Sequence, residues 1–204
     1  MITIVDYGVG NIQAFVNIYN ELGIPCSLAK TKSELENAER LILPGVGHFD
    51  FAMKKLKDSG MIPALNQLVM GDKIPVLGIC VGMQMMANSS DEGILPGLGW
   101  IDSEIKKIDT TTLNQKTLLP HMGWNSVQQK KKNIFFDDTE SLKEFYFLHS
   151  FCMKCKDAND VLAVANYGEE FAAIVQKNNI VGIQCHPEKS HLVGTQFLQN
   201  FTKL

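Results

Sequence analysis

Apolar residues in the first half of the chain alternate between short unbroken runs and helical spacing. Residues 2–6 form a short apolar strand that ends at Asp6-Tyr7-Gly8. Ile12, Phe15, Val16, Tyr19 and Leu22 then fall on one face of a helix, and Gly23 is its stop. Residues 25–29 read as a second strand and 40–43 as a third, which runs into Pro44-Gly45-Val46-Gly47. Phe49, Ala52, Met53 and Leu56 mark a helix stopped near Gly60, and Ile62, Leu65, Leu68 and Val69 mark another ending before Gly71. A buried strand over 73–79 and a helix over 82–88 follow. This alternation predicts a parallel sheet with helices on both faces. Runs 2–5 and 76–79 do not alternate with polar residues, as suits strands covered on both sides.

The second half is patterned differently. Residues 100–108, 145–152, 161–166, 172–175 and 180–185 read as strands joined by short polar or glycine-containing connections, which suggests antiparallel additions to the sheet. Val193, Phe197, Leu198 and Phe201 close the chain with a helix. The expectation is an α/β protein with a three-layer, open, mixed and mostly parallel sheet. No linker divides residues 1–204, so they read as one domain.

Composition adds little and excludes more. Hydrophobic residues make up 45% and charged residues 20% of the 204, with a net charge of −3, so no basic footprint for nucleic acid is present. The run Lys130-Lys131-Lys132 reads as a solvated loop. No apolar stretch has the length of a membrane span, and the first residues lack a basic leader, so a cytoplasmic location is expected. Five cysteines at irregular spacing do not make a disulfide framework. The lone Cys152-Met153-Lys154-Cys155 has neither a second pair nor a nearby histidine, so no metal is expected there.

Chemistry concentrates at three strand ends. In Gly78-Ile79-Cys80-Val81-Gly82 a buried strand runs into a cysteine flanked by glycines, and a helix follows. This is the cysteine form of a nucleophile elbow, whose sharp turn favours neighbours without a Cβ. A helix N-terminus at Cys80 would favour thiolate, and the Val81 N–H would point toward a developing oxyanion. His186-Pro187-Glu188 follows another strand. Pro187 holds His186 extended, so that His186 and Glu188 face one side and Glu188 can orient the imidazole. Pro44-Gly45-Val46-Gly47 could supply a second oxyanion donor. Clefts in open α/β sheets lie beyond the carboxyl ends of strands, where all three motifs sit.

Together these residues resemble the class I (triad) glutamine amidotransferases. Further matching stretches are Asp6-Tyr7-Gly8-Val9-Gly10-Asn11-Ile12, Leu43-Pro44-Gly45-Val46-Gly47-His48-Phe49, Pro120-His121-Met122-Gly123-Trp124-Asn125, Phe145-Tyr146-Phe147-Leu148-His149-Ser150 and His186-Pro187-Glu188-Lys189-Ser190. They run in the family's order over nearly the whole chain. The resemblance implies that Cys80 attacks the glutamine side-chain amide, that His186 moves the protons and that Glu188 orients it. It implies that Gln84, Ser150 and Phe151 hold the amino-acid end of L-glutamine, and that Gly45, Val46, Gly47 and Val81 form the oxyanion hole. No metal or organic cofactor is implied. Ammonia would pass to a HisF-type (β/α)8-barrel cyclase of histidine biosynthesis, with Asn11, Trp124 and Lys189 near that interface.

The chain departs from the family pattern in places. Cys185 replaces an expected phenylalanine before His186, and His191 stands where a small residue is expected. Leu95-Pro96-Gly97-Leu98-Gly99-Trp100 and Gly78-Ile79-Cys80-Val81-Gly82 also resemble paralogues that feed ammonia to a HisF-like partner acting on a surface-polysaccharide sugar, so that alternative acceptor stays open. Elbow-cysteine peptidases and chaperones on a similar fold place a histidine directly after the cysteine, where this chain has Val81. A docking module without activity would be expected to have lost a triad member, and none is missing.

Overall fold

The computed structural model describes residues 1–113, 118–136 and 142–204. Its strands are β1 (Ile2–Val5), β2 (Cys26–Ala29), β3 (Leu41–Gly45), β4 (Val76–Cys80), β5 (Ser89–Ser90), β6 (Ser103–Lys107), β7 (His121–Gln129), β8 (Leu142–His149), β9 (Phe151–Cys155), β10 (Val161–Tyr167), β11 (Glu169–Lys177) and β12 (Ile180–Ile183). Its α-helices are α1 (Ile12–Glu21), α2 (Phe49–Asp58), α3 (Ile62–Asn66), α4 (Val81–Gln84) and α5 (His191–Phe201).

Nine strands form one sheet in the order β2-β1-β3-β4-β12-β11-β10-β7-β8. From β2 to β12 every pairing is parallel, and from β12 to β8 every pairing is antiparallel. The step from β1 to β2 runs one way along the sheet and the step from β3 to β4 runs the other. Right-handed crossovers therefore put α1 and α2 on opposite faces. α5 packs on the α1 side, where the Tyr19 hydroxyl of α1 donates to the Leu198 carbonyl. The fold is the mixed α/β sheet flanked by helices that the hydrophobic pattern predicts. Strands β1, β3, β4 and β12 are buried throughout. None of the helices among the described residues is long and apolar enough to cross a membrane.

Three expectations need correction. First, the run 145–152 is two strands. β8 ends at His149, the chain bends at Ser150, and β9 joins a separate three-stranded sheet, β5-β6-β9. The strand expected over 100–108 also lies in that small sheet, as β6. Second, β7 was not anticipated, because His121-Met122-Gly123-Trp124-Asn125-Ser126 contains no apolar run. Third, the helix after Cys80 stops at Gln84 instead of reaching residue 88. The N–H groups that would continue it are used otherwise: Met86 donates to the Met83 carbonyl and Ala87 to the Gln84 carbonyl, three residues back, and Asn88 donates to the Ser103 carbonyl of β6.

Candidate active site

β4 delivers Cys80 to the carboxyl edge of the sheet. The residue adopts φ 54° and ψ −114°, a strained turn for a side chain with a Cβ. The turn is possible because its neighbours are glycines. A Cβ on Gly82 would sit 1.9 Å from the Leu43 carbonyl oxygen, and one on Gly45 would sit 2.3 Å from the Gly82 nitrogen. The ends of β3 and the elbow thus touch backbone to backbone. With only one turn in α4, the helix dipole at Cys80 is small.

His186 is placed by long-range bonds. Its N–H donates to the Tyr146 carbonyl of β8 at 2.8 Å. The Ser190 hydroxyl donates to the His186 carbonyl and accepts from the Tyr146 N–H. Extended geometry was expected through Glu188, but Pro187–Lys189 form a single 3-10 turn, while His186 itself is extended. That turn brings Glu188 Oε1 to 2.8 Å from His186 Nδ1, leaving Nε2 for Cys80, with which His186 is also hydrogen-bonded. Both side chains of the His186–Glu188 pair are buried. Burial alone would lower the His186 pKa, but bonds to Cys80 and Glu188 outweigh it and raise the value to about 10. Glu188 Oε2 is buried with no hydrogen-bond partner among the described residues, so this carboxylate relies on the imidazolium.

A cavity of about 450 Å³ opens over these groups. Val46, Gly47, Cys80, Val81, Gln84, Ser150, Phe151, His186 and Lys189 all line it. Of the anticipated residues, Glu188 lies behind His186, and Gly45 packs beneath the elbow. Neither lies on the cavity wall. Lys189, expected at a partner surface, lines the cavity and holds its ammonium 5.7 Å from the Tyr146 ring centroid. Asn11 is exposed just before α1, and Trp124 is half-exposed on β7, its ring stacked on His191 at 5.1 Å. Both lie off the cavity wall. His191 has φ 49°, a backbone strain that a glycine at this position would have relieved.

Gln84 is held from two sides. Its Nε2 donates to the Phe151 carbonyl and to Gln184 Oε1, each at 3.1 Å. Both amide hydrogens are committed, so Gln84 Oε1 is the atom left for a ligand N–H. Gln184 Nε2 in turn lies 3.8 Å from Cys80 Sγ. Glu92, Pro120, Leu148 and His149 also line the cavity and were not singled out from the sequence. Glu92 sits in a polar loop with no motif around it. The fold brings it to α2, where its Oε2 accepts the Phe49 N–H at 2.8 Å.

Comparisons with known proteins show the family. The family model described as "Glutamine amidotransferase class-I" matches residues 3–204, and the chain belongs to that family. Two solved structures share the fold at low identity: a glutamine amidotransferase (TM-score 0.74, 15% identical, covering 99% of this chain and 97% of that one) and PurLQS from Thermotoga maritima (TM-score 0.74, 16%, 99% and 97%). Full-length curated relatives are much closer. Imidazole glycerol phosphate synthase subunit HisH of Bdellovibrio bacteriovorus is 52% identical, and that of Leptospira interrogans 47%, each over 100% of both chains. Within the family the chain is a member of the HisH group of glutamine amidotransferase subunits.

Proposed function

We propose that this chain hydrolyses L-glutamine to glutamate and ammonia and passes the ammonia to a HisF-type (β/α)8-barrel cyclase that makes imidazole glycerol phosphate in histidine biosynthesis. The observation that carries the chemistry is Cys80 and His186 together on the cavity wall, with Glu188 bonded to His186 from behind. Cys80 Sγ attacks the side-chain amide carbon, and the carbonyl oxygen turns toward the Val81 N–H and the Val46–Gly47 peptides. His186 gives its proton to the departing nitrogen, leaving a glutamyl thioester and ammonia. Water then attacks the thioester, His186 takes a proton from it, and the sulfur leaves as glutamate forms. Glu188 holds the imidazole in the tautomer and charge state both steps need. Gln84, Ser150 and Phe151 take the amino-acid end, and the Glu92 carboxylate is placed to meet its ammonium.

The acceptor half of the reading rests on full-length relatives named as subunits of imidazole glycerol phosphate synthase. Glutamate release is measured for the chain alone and with the same organism's histidine-pathway barrel plus its acceptor substrate. Strong stimulation by that pair is expected. Stimulation only by a different HisF-like barrel would move the acceptor to a surface-polysaccharide sugar. Cys80→Ala should abolish glutamine-dependent product, while synthesis from free ammonia by the partner survives. Loss of the ammonia route as well would give Cys80 a structural role.

A further inference from the structure

Two buried histidines outside the triad form a hydrogen-bonded line that ends at the cavity wall. His121 of β7 and His149 of β8 are directly paired across the strands. His121 Nδ1 lies 3.0 Å from His149 Nε2, and His149 Nδ1 lies 2.8 Å from the Phe151 carbonyl oxygen. At the other end Asn125 Nδ2 lies 3.2 Å from His121 Nε2.

The direction of every bond in this line is fixed from both ends. The Phe151 carbonyl can only accept, so His149 Nδ1 carries a hydrogen. At the far end the Asn125 amide is oriented by its own anchors: Oδ1 accepts the Ser126 N–H at 2.8 Å, and Nδ2 donates to the Asn166 carbonyl at 2.9 Å. Asn125 Nδ2 is therefore a donor to His121 Nε2, which must be bare. His121 then carries its hydrogen on Nδ1 and donates to a bare His149 Nε2. Only one arrangement satisfies all three contacts: both rings neutral and both protonated on Nδ1. The surroundings favour it. His121 is stacked between Phe147, 4.9 Å away, and Tyr167, 4.1 Å away. Burial pulls its pKa down to about 4 and that of His149 to about 3.

We propose that His121 and His149 are positioning residues that hold the Ser150–Phe151 backbone in the orientation glutamine binding requires. The line ends on the carbonyl that Gln84 also grips, at the bend where the chain leaves β8 of the large sheet for β9 of the small one. The ladder to β6 reaches that bend through the Ile108 N–H, which donates to the Ser150 carbonyl at 3.0 Å, and the relay adds a second constraint, on the Phe151 carbonyl. Neither ring is needed for proton transfer, which stays with His186. This inference rests on the glutaminase reading above.

The test compares wild type, His121→Phe, His121→Asn and Asn125→Ala, each with the barrel partner and its acceptor. His121→Phe keeps a stacked ring and removes the donor, so KM for glutamine should rise about tenfold, the scale of one lost hydrogen bond, with kcat within about twofold. His121→Asn puts an amide nitrogen near the Nδ1 position and should recover most of the loss. Asn125→Ala cuts the line at its far end and should raise KM about threefold, a fraction of the effect of one lost hydrogen bond. An unchanged KM in His121→Phe, in an active wild type, overturns the proposal. A wild type that releases no glutamate overturns the underlying reading instead. Proton–nitrogen spectra of histidine-labelled wild type decide the relay without any activity. Nδ1-protonated neutral rings at positions 121 and 149 at neutral pH are expected, and an Nε2-protonated or charged ring at either position overturns it.

Discussion

Cys80 carries its side chain on a backbone with φ 54°, a conformation that costs a non-glycine residue about 1–3 kcal/mol. The surrounding contacts leave it no alternative, and the sulfur stands clear of the sheet as a result. Under the proposed function, His186 and Glu188 divide the remaining work. Glu188→Gln should lower turnover less than His186→Ala, because an orienting group contributes less than the proton carrier. Equal losses in steady-state kcat would contradict that division. The relay histidines make a separate prediction about pH. Their folded-state pKa values, about 4 and about 3, lie below the free value of 6.5. The unfolded chain therefore takes up protons first as pH falls. Their contribution to stability is complete above pH 6.5 and is lost as pH drops toward 4 and then 3. Thermal melts from pH 7.5 to roughly 4.5 should show the wild type losing more than His121→Phe, by several degrees for about 1–2 kcal/mol.

Among the elements, the closest fit is between the end of β3 and the elbow. Gly82→Ala would drive a Cβ into the Leu43 carbonyl, and the backbone on both sides must move. A loss of about 3 kcal/mol is expected in urea unfolding, at the upper end of overpacking effects. Gly47→Ala is the contrast. Its Cβ would meet nothing within 4 Å, and the only penalty comes from φ 82°, so about 1 kcal/mol should be lost. The parallel half of the sheet was legible in the sequence because its strands are buried on both faces and so consist of apolar runs. The glycine-flanked Cys80 and His186-Pro187-Glu188 were legible because tight turns restrict which residues fit. Other features were set by contacts between distant residues. β6 draws the Asn88 N–H away from α4 and so ends it early, β7 hides its buried positions among polar neighbours, and the apolar run 145–152 gives no sign that it changes sheets at Ser150. Glu92 reaches the cavity only because α2 takes its carboxylate as a cap. Residues 114–117 and 137–141 lie outside the described residues, and no expected site residue falls among them.

Across the whole molecule, thiol reactivity and partner contact separate cleanly. Burial raises Cys152 to about 11 and Cys155 to about 12, and it holds Cys185 well above the ordinary thiol range. These thiols should resist iodoacetamide at neutral pH. Labelling that glutamine protects should map by peptide mass analysis to Cys80 alone, and protection at another cysteine would place the substrate elsewhere. Trp124 is half-exposed, and its indole is stacked on His191 beyond the cavity wall. Under the proposed function, Trp124→Ala should change the stability of the isolated chain by less than about 0.5 kcal/mol. In a titration with the barrel subunit, the concentration needed for half-maximal glutamate release should rise at least about tenfold, as for loss of an aromatic hot spot. An unchanged titration would put the contact surface elsewhere.

The bend at Ser150 has a consequence for how such an enzyme can change over time. Cys80 is fixed in the middle of the large sheet, whereas the opposite wall of the cavity hangs where two sheets meet. Substitutions that tilt the small sheet would alter how firmly the substrate is gripped and leave the reacting atoms where they are. Grip and chemistry can therefore drift independently, and a lineage can adapt to a new substrate concentration without rebuilding its elbow.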